Sequence, residues 1–128
     1  EDVVRESGDG KALVIRNEDV TYYRYRPRSY AYCSDTAPFA ELPEWVRGAD
    51  LLYHEATFPQ EMAEMAEKTF HSTTIQAATV AKDAGVKKLI VGHYSSRFPS
   101  VDFYLDEIQT IFPEASLAHD GDVIEIPF

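Results

Sequence analysis

Three apolar segments of this 128-residue chain run directly into ionisable residues. Tyr30 to Cys33 leads into Ser34-Asp35-Thr36. Leu51 to Tyr53 leads into His54-Glu55-Ala56-Thr57. Leu89 to Val91 leads into Gly92-His93-Tyr94-Ser95-Ser96-Arg97. A further histidine, His71, stands just before the Ser72-Thr73 start of a helical pattern. Carboxylates and imidazoles are the side chains that move protons and hold divalent metals. In α/β sheets, ligands bind beyond the carboxyl ends of the strands. If these strands are parallel, Asp35, His54, Glu55 and His93 gather on one rim. Taken singly, each has a plainer role. Asp35 before Thr-x-Pro suits a turn, and His93 suits a satisfied structural histidine. His71 suits a helix start, and His54 suits the core with Glu55 paired to a cation. His119 lies in a turn and reads as structural. It is their joint placement at strand ends that points to a metal or acid–base site.

The elements that must position these residues follow from pattern. Residues 3–5 and 11–16 read as short strands joined through Ser7-Gly8-Asp9-Gly10. Val20 to Tyr25 is aromatic and β-branched, which predicts an extended segment up to Pro27. Strands are expected at Tyr30–Cys33, Ala49–Tyr53, Lys87–Val91, Ser116–Ala118 and Val123–Ile126. The last two form a pair around Asp120-Gly121-Asp122. Helices are expected over 39–47, 59–68 and 73–84, and from Ser100 to Phe112. Thr73 and Gln76 have capping-box spacing, and Gly85 follows the third helix as its C-terminal stop. Val101, Leu105, Ile108 and Phe112 share one face of the last helix, which Pro113 ends. Alternating strands and helices argue for an α/β layered sheet. Leu51-Leu52 and Leu89-Ile90-Val91 are continuous apolar runs of the kind buried on both faces. The helices suffice to cover one of those faces.

Composition narrows the class. The chain is 45% hydrophobic and 27% charged, as expected of a globular domain. No apolar run approaches the ~20 residues that span a bilayer, and the polar, acidic start carries no signal-peptide pattern. The single cysteine, Cys33, excludes an internal disulfide framework and fits a reducing cytoplasm. The net charge of −10 argues against a broad nucleic-acid surface. The one basic cluster, Arg24, Arg26 and Arg28 interleaved with Tyr22, Tyr23 and Tyr25, reads either as a solvated strand face or as a phosphate contact.

The four motifs together resemble the RNase Z (tRNase Z) family, the tRNA 3′-processing endonucleases of the metallo-β-lactamase superfamily. Ser34-Asp35-Thr36 is similar to that family's Gly-Asp-Thr motif, with Ser34 in place of the usual glycine. His54-Glu55-Ala56-Thr57 matches its HEAT motif, and His71-Ser72-Thr73 matches its HST motif. Gly92 to Arg97 resembles the segment that carries its last metal-binding histidine. The resemblance covers essentially the whole chain and implies roles by position. Asp35 would bridge two zinc ions and His93 would bind one of them. His71 would act in proton transfer or in stabilising transition-state charge. Glu55 would orient His71, and His54 would shape that loop. The substrate would be precursor tRNA, cut to leave a 3′-hydroxyl. The implied fold is half of a four-layer αββα sandwich, one mixed sheet with helices on one face. The exposed other face would favour self-association, as a homodimer for example.

The family's His-x-His-x-Asp-His run, which supplies most of its zinc ligands, has no counterpart here, and no His-x-His occurs anywhere in the chain. The resemblance therefore implies a C-terminal half, without the N-terminal part that also carries the RNA-gripping arm. Other readings are a different metallo-β-lactamase-fold hydrolase, of phosphodiesterase or arylsulfatase type, or a non-catalytic dimerisation half. The intact Asp35, His71 and His93 speak against the last. Asp35 and His93 offer two ligands where zinc takes about four. The purified chain is thus expected to bind zinc weakly or not at all and to leave precursor tRNA uncut. Tight, stoichiometric zinc in a metal analysis of the purified chain would contradict this.

Overall fold

The structure is a computed structural model that describes residues 3–6, 12–15 and 27–127. Strands β1 (Val3–Glu6) and β2 (Ala12–Ile15) form an antiparallel pair in which Val3 faces Ile15 and Glu6 faces Ala12, as the hairpin pattern predicts. The extended segment expected over 20–25, and with it Arg24 and Arg26, lies outside the described residues.

Four further strands form one sheet in the order β3 (Tyr30–Cys33), β4 (Leu51–Glu55), β5 (Lys88–Gly92), β6 (Ala115–Leu117). Every neighbouring pair is parallel. Among the described residues this sheet is parallel, where the resemblance implies a mixed sheet. Each strand returns to the same end of the sheet through a helical crossover, which is the connection parallel neighbours require. Strand β4 runs two residues further than the apolar pattern suggests. Pairing with β5 continues through Glu55 opposite Gly92, so His54 and Glu55 are strand residues.

The crossovers are α1 (Leu42–Trp45), a 3₁₀ turn (Gln60–Met62) leading into α2 (Ala63–Thr69), α3 (Thr74–Ala84), and α4 (Asp102–Gln109). Helix α1 is shorter than expected, because Pro43 stands in its first turn, where proline's missing N–H is harmless. Helix α3 begins with the capping box read from the sequence. The Thr73 hydroxyl accepts from the Gln76 N–H, and the Gln76 side chain accepts from the Thr73 N–H. It buries Ala77, Ala78, Ala81 and Ala84 against the sheet, small side chains that let the helix lie close to β4 and β5. It ends at Gly85 with φ 64°, the left-handed stop that glycine adopts without strain.

One face of the sheet makes the main core. Leu52, Leu89 and Val91 pack with Val80, Tyr104 and Ile108 of the helices. The opposite face carries Leu51, Tyr53 and Ile90, flanked by Tyr30 and Tyr32, which are 48% and 63% exposed. Rings of Tyr32 and Tyr53 stack at 4.7 Å. The C-terminal segment does not form the strand expected at 123–126. Its turn does form, with the Asp122 N–H donating to His119 O at 3.0 Å. The chain then crosses the second face irregularly. There Ile124 and Ile126 line a 340 Å³ hollow together with Leu51 and Ile90, and Arg28 Nη1 donates to Ile126 O at 3.0 Å. The alternation of Ile124 and Ile126 thus serves to cover a sheet face, not to extend the sheet.

Candidate active site

The carboxyl ends of β3, β4 and β5 lie side by side, because Cys33 pairs with His54 and Glu55 pairs with Gly92. The residues just beyond these ends must turn sharply to face one another. Asp35 and His93 do so with positive φ, 48° and 63°. So does Phe70, at 60°. Such angles are uncommon for residues other than glycine and gather at functional sites. Phe70 ends α2 in a Schellman motif. Its N–H donates to Glu67 O, and the His71 N–H donates to Ala66 O at 2.9 Å. The helix stop therefore delivers His71 to the rim in a fixed direction.

Glu55 is fully buried beneath this rim. Its Oε1 accepts from the Thr36 N–H at 3.1 Å, the Ser72 N–H at 3.1 Å and His71 Nδ1 at 2.7 Å. Its Oε2 accepts from the Thr57 N–H at 3.0 Å and the Thr57 hydroxyl at 2.7 Å. A buried ionised carboxylate is tolerated only when its lone pairs are this well occupied. The contacts tie the Asp35 turn, the end of β4 and the His71 loop to one group.

Hydrogen placement follows from this network. The Thr57 hydroxyl has one proton, and it goes to Glu55. Thr57 Oγ1 can therefore only accept from His93 Nδ1, 3.0 Å away. His71 Nδ1 likewise carries its proton toward Glu55. Both rings keep Nε2 for whatever lies in front of them. They stack with centroids 5.2 Å apart. His93 Nε2 lies 3.0 Å from Asp35 Oδ1. Two lone pairs cannot face each other at that distance, so a second ring proton or a cation belongs between them.

The donor set suits a metal. One donor atom each from Asp35, His71 and His93 lies within 4.8 Å of the others. Oxygen and imidazole nitrogen together are ligands for zinc or manganese. The 3.0 Å gap between His93 and Asp35 is close to the roughly 3.3 Å that neighbouring ligands keep around a tetrahedral ion of usual bond length. Gly92 completes the approach. A Cβ there would stand 2.5 Å from the Tyr53 hydroxyl oxygen, so glycine at this position lets Tyr53 pack against the strand end before His93.

Of the residues singled out from sequence, Asp35, Glu55, His71 and His93 come together. His54 does not join them. It alternates to the helix side of β4, fully buried, with Nδ1 donating to Glu55 O at 2.7 Å. Its Nε2 has no hydrogen-bond partner among the described residues. Burial pushes its pKa down, against the opposing pull of the Glu55 carbonyl and carboxylate, so at neutral pH the ring is uncharged. His119 is exposed at the edge of a 430 Å³ cleft that also reaches His93. Thr57, the last residue of the His-Glu-Ala-Thr motif, joins the site as well. Its two-sided contact depends on a strand register that no local pattern shows. Replacing Glu55 by Gln points an amide NH₂ at several of these donors. Glu55→Gln is expected to cost about 2–4 kcal/mol of stability, read as a fall in the urea unfolding midpoint, and an unchanged midpoint would contradict the network.

The chain matches the beta-lactamase superfamily domain over residues 7–94. It is 45% identical over 120 residues to a protein of Cytophaga hutchinsonii named Ribonuclease Z, a match that covers 94% of this chain and 37% of that protein. Among solved structures it is similar to the short form of human tRNase Z, with 28% identity and a TM-score of 0.64 over 91% of this chain and 38% of that one. The metallo-beta-lactamase fold protein YhfI of Bacillus subtilis shares the fold, with a TM-score of 0.71 at 21% identity over 97% of this chain and 48% of that one. The chain thus spans little more than a third of the length of the curated relative it matches. By its motifs, its sheet and its match over most of its length, the chain belongs to the beta-lactamase superfamily.

Proposed function

We propose that the chain is the C-terminal portion of a zinc-dependent endoribonuclease that removes the 3′ trailer from precursor tRNA and leaves a 3′-hydroxyl. The observation that carries this reading is the pairing of His71 with buried Glu55 beside the Asp35–His93 pair. The identity to proteins named Ribonuclease Z supports it.

Asp35 and His93, which meet directly, would hold the metal, with the Asp35 carboxylate as its oxygen donor and His93 Nε2 as its nitrogen donor. Bound metal supplies Lewis-acid stabilisation of charge on the reacting phosphodiester. His71 is the proton-transfer residue. Glu55 fixes its Nδ1–H and stabilises the ring when charged, so Nε2 gives its proton to the leaving oxygen. Thr57 fixes the His93 ring in the orientation that presents Nε2. His54, uncharged and buried, shapes the turn beneath Glu55 and takes no proton from the substrate. The remaining metal ligands and the RNA-binding arm come from a part of the protein that precedes these residues. The acidic balance of this chain agrees with an RNA grip placed elsewhere.

No helix among the described residues is long and apolar enough to cross a membrane, and we place the protein in the reducing cytoplasm, where Cys33 needs no partner. In a full-length protein carrying this chain, His71→Ala is expected to lower kcat on precursor tRNA by about 10²–10⁴-fold with little change in KM. Unchanged cleavage would contradict the assignment. Tyr30 and Tyr32, which stay exposed on the sheet face that Ile124 and Ile126 cover only in part, favour a homodimer of the chain. Light scattering is expected to show self-association, and a clean monomer at high concentration would count against it.

A further inference from the structure

Helix α4 lies beyond the stretch that matches the superfamily domain, yet it touches both loops of the site. The Tyr104 hydroxyl, fully buried, donates to Thr57 O at 2.8 Å. The same carbonyl accepts from the Ser95 N–H at 2.9 Å, which fastens the loop just after His93. One turn along the helix, Glu107 Oε1 accepts from the Gln60 N–H at 3.0 Å and the Thr74 hydroxyl at 2.7 Å. Gln60 in turn accepts from the Thr73 hydroxyl at 2.6 Å. Residues three apart on a helix project from the same side. A single turn of α4 thus grips residues 57–60 at both ends, together with the segment that follows His71.

We propose that Tyr104 and Glu107 are positioning residues, which set Thr57 and the 71–74 loop at the spacing that lets Thr57 hold His93 and Glu55 hold His71. The inference rests on the reading of His71 and His93 as functional groups. Neither Tyr104 nor Glu107 reaches the rim. They act on it through one rigid element, and ordering of such supporting contacts is what keeps a site at its working geometry. Glu107 is suited to the task because one carboxylate oxygen serves a backbone donor of the 3₁₀ turn and a side-chain donor at the start of α3. Tyr104 is suited because its ring packs in the core, against Tyr94 at 5.7 Å and Phe103 at 5.0 Å, so its hydroxyl has a fixed origin.

The test reads the imidazole N–H groups themselves. In the full 128-residue chain labelled with ¹⁵N-histidine, the Nδ1–H signals of His71 and His93 are followed by NMR, and their exchange with solvent is timed. Tyr104→Phe is expected to speed exchange at His93, and Glu107→Ala at His71, each by roughly 10-fold or more, as local opening becomes easier. Glu107→Gln keeps an acceptor oxygen and is expected to restore wild-type exchange at His71. A purely structural role would lower the unfolding temperature yet leave these ring signals alone. Folded Tyr104→Phe and Glu107→Ala chains with both ring signals and exchange rates unchanged would overturn the proposal. The readout needs no tRNA and no metal, so a failure to cleave precursor tRNA would count against the proposed function and not against this inference.

Discussion

The site depends on one buried carboxylate. Glu55 sits at the end of a central strand with no exposed surface and accepts from the Thr36, Thr57 and Ser72 N–H groups, the Thr57 hydroxyl and the His71 ring. Three of these donors are backbone N–H groups of loops that follow β3, follow β4 and precede α3. A carboxylate stripped of water costs several kcal/mol unless such donors replace the water. The same donors, buried without an acceptor, would be costly too. Each side therefore demands the other, and the demand fixes three loops that are far apart in sequence.

From that constraint the rest of the rim follows. With its own proton committed to Glu55, the Thr57 hydroxyl is left as an acceptor for His93 Nδ1. With Nδ1 of His71 held by Glu55, both rings present Nε2. The chain bends into place at Asp35, Phe70 and His93, all at positive φ. For residues other than glycine such a bend costs of order 1–2 kcal/mol. Capped, well-packed elements surround these positions and over-determine them: the Schellman end of α2, the capping box of α3, and Tyr53 packed against Gly92. Strain is held where the chemistry lies and is offset by the helices and sheet behind it.

Much of this was legible in the sequence. The apolar runs 51–52 and 89–91 marked central strands, Thr73 and Gln76 marked the cap of α3, and Gly85 marked its end. The strand-end pattern groups Asp35, His54, Glu55 and His93, with His71 at a helix start, and all of these but His54 meet at the rim. What local pattern could not show was register. The end of β4 at Glu55 is set by pairing with β5, whose partner residue lies 37 positions away in the chain. Without that register, neither the donors around Glu55 nor the bridging place of Thr57 can be seen. His54 illustrates the same limit, since a one-residue step along a strand reverses the face and parts it from its neighbour Glu55. The C-terminal Asp-Gly turn formed, but the alternating Ile124 and Ile126 found a sheet face to cover before a strand edge to extend.

On the proposed reading, this network prepares Asp35 and His93 to share a cation across their 3.0 Å gap. The most direct measurement is anomalous diffraction at the zinc edge, from crystals of the chain grown with zinc in large excess. An anomalous peak bound by the Asp35 carboxylate and His93 Nε2 at about 2.0–2.2 Å is expected, with Glu55 still accepting from His71. Zinc held elsewhere on the chain, with the Asp35–His93 gap empty at that concentration, would contradict it.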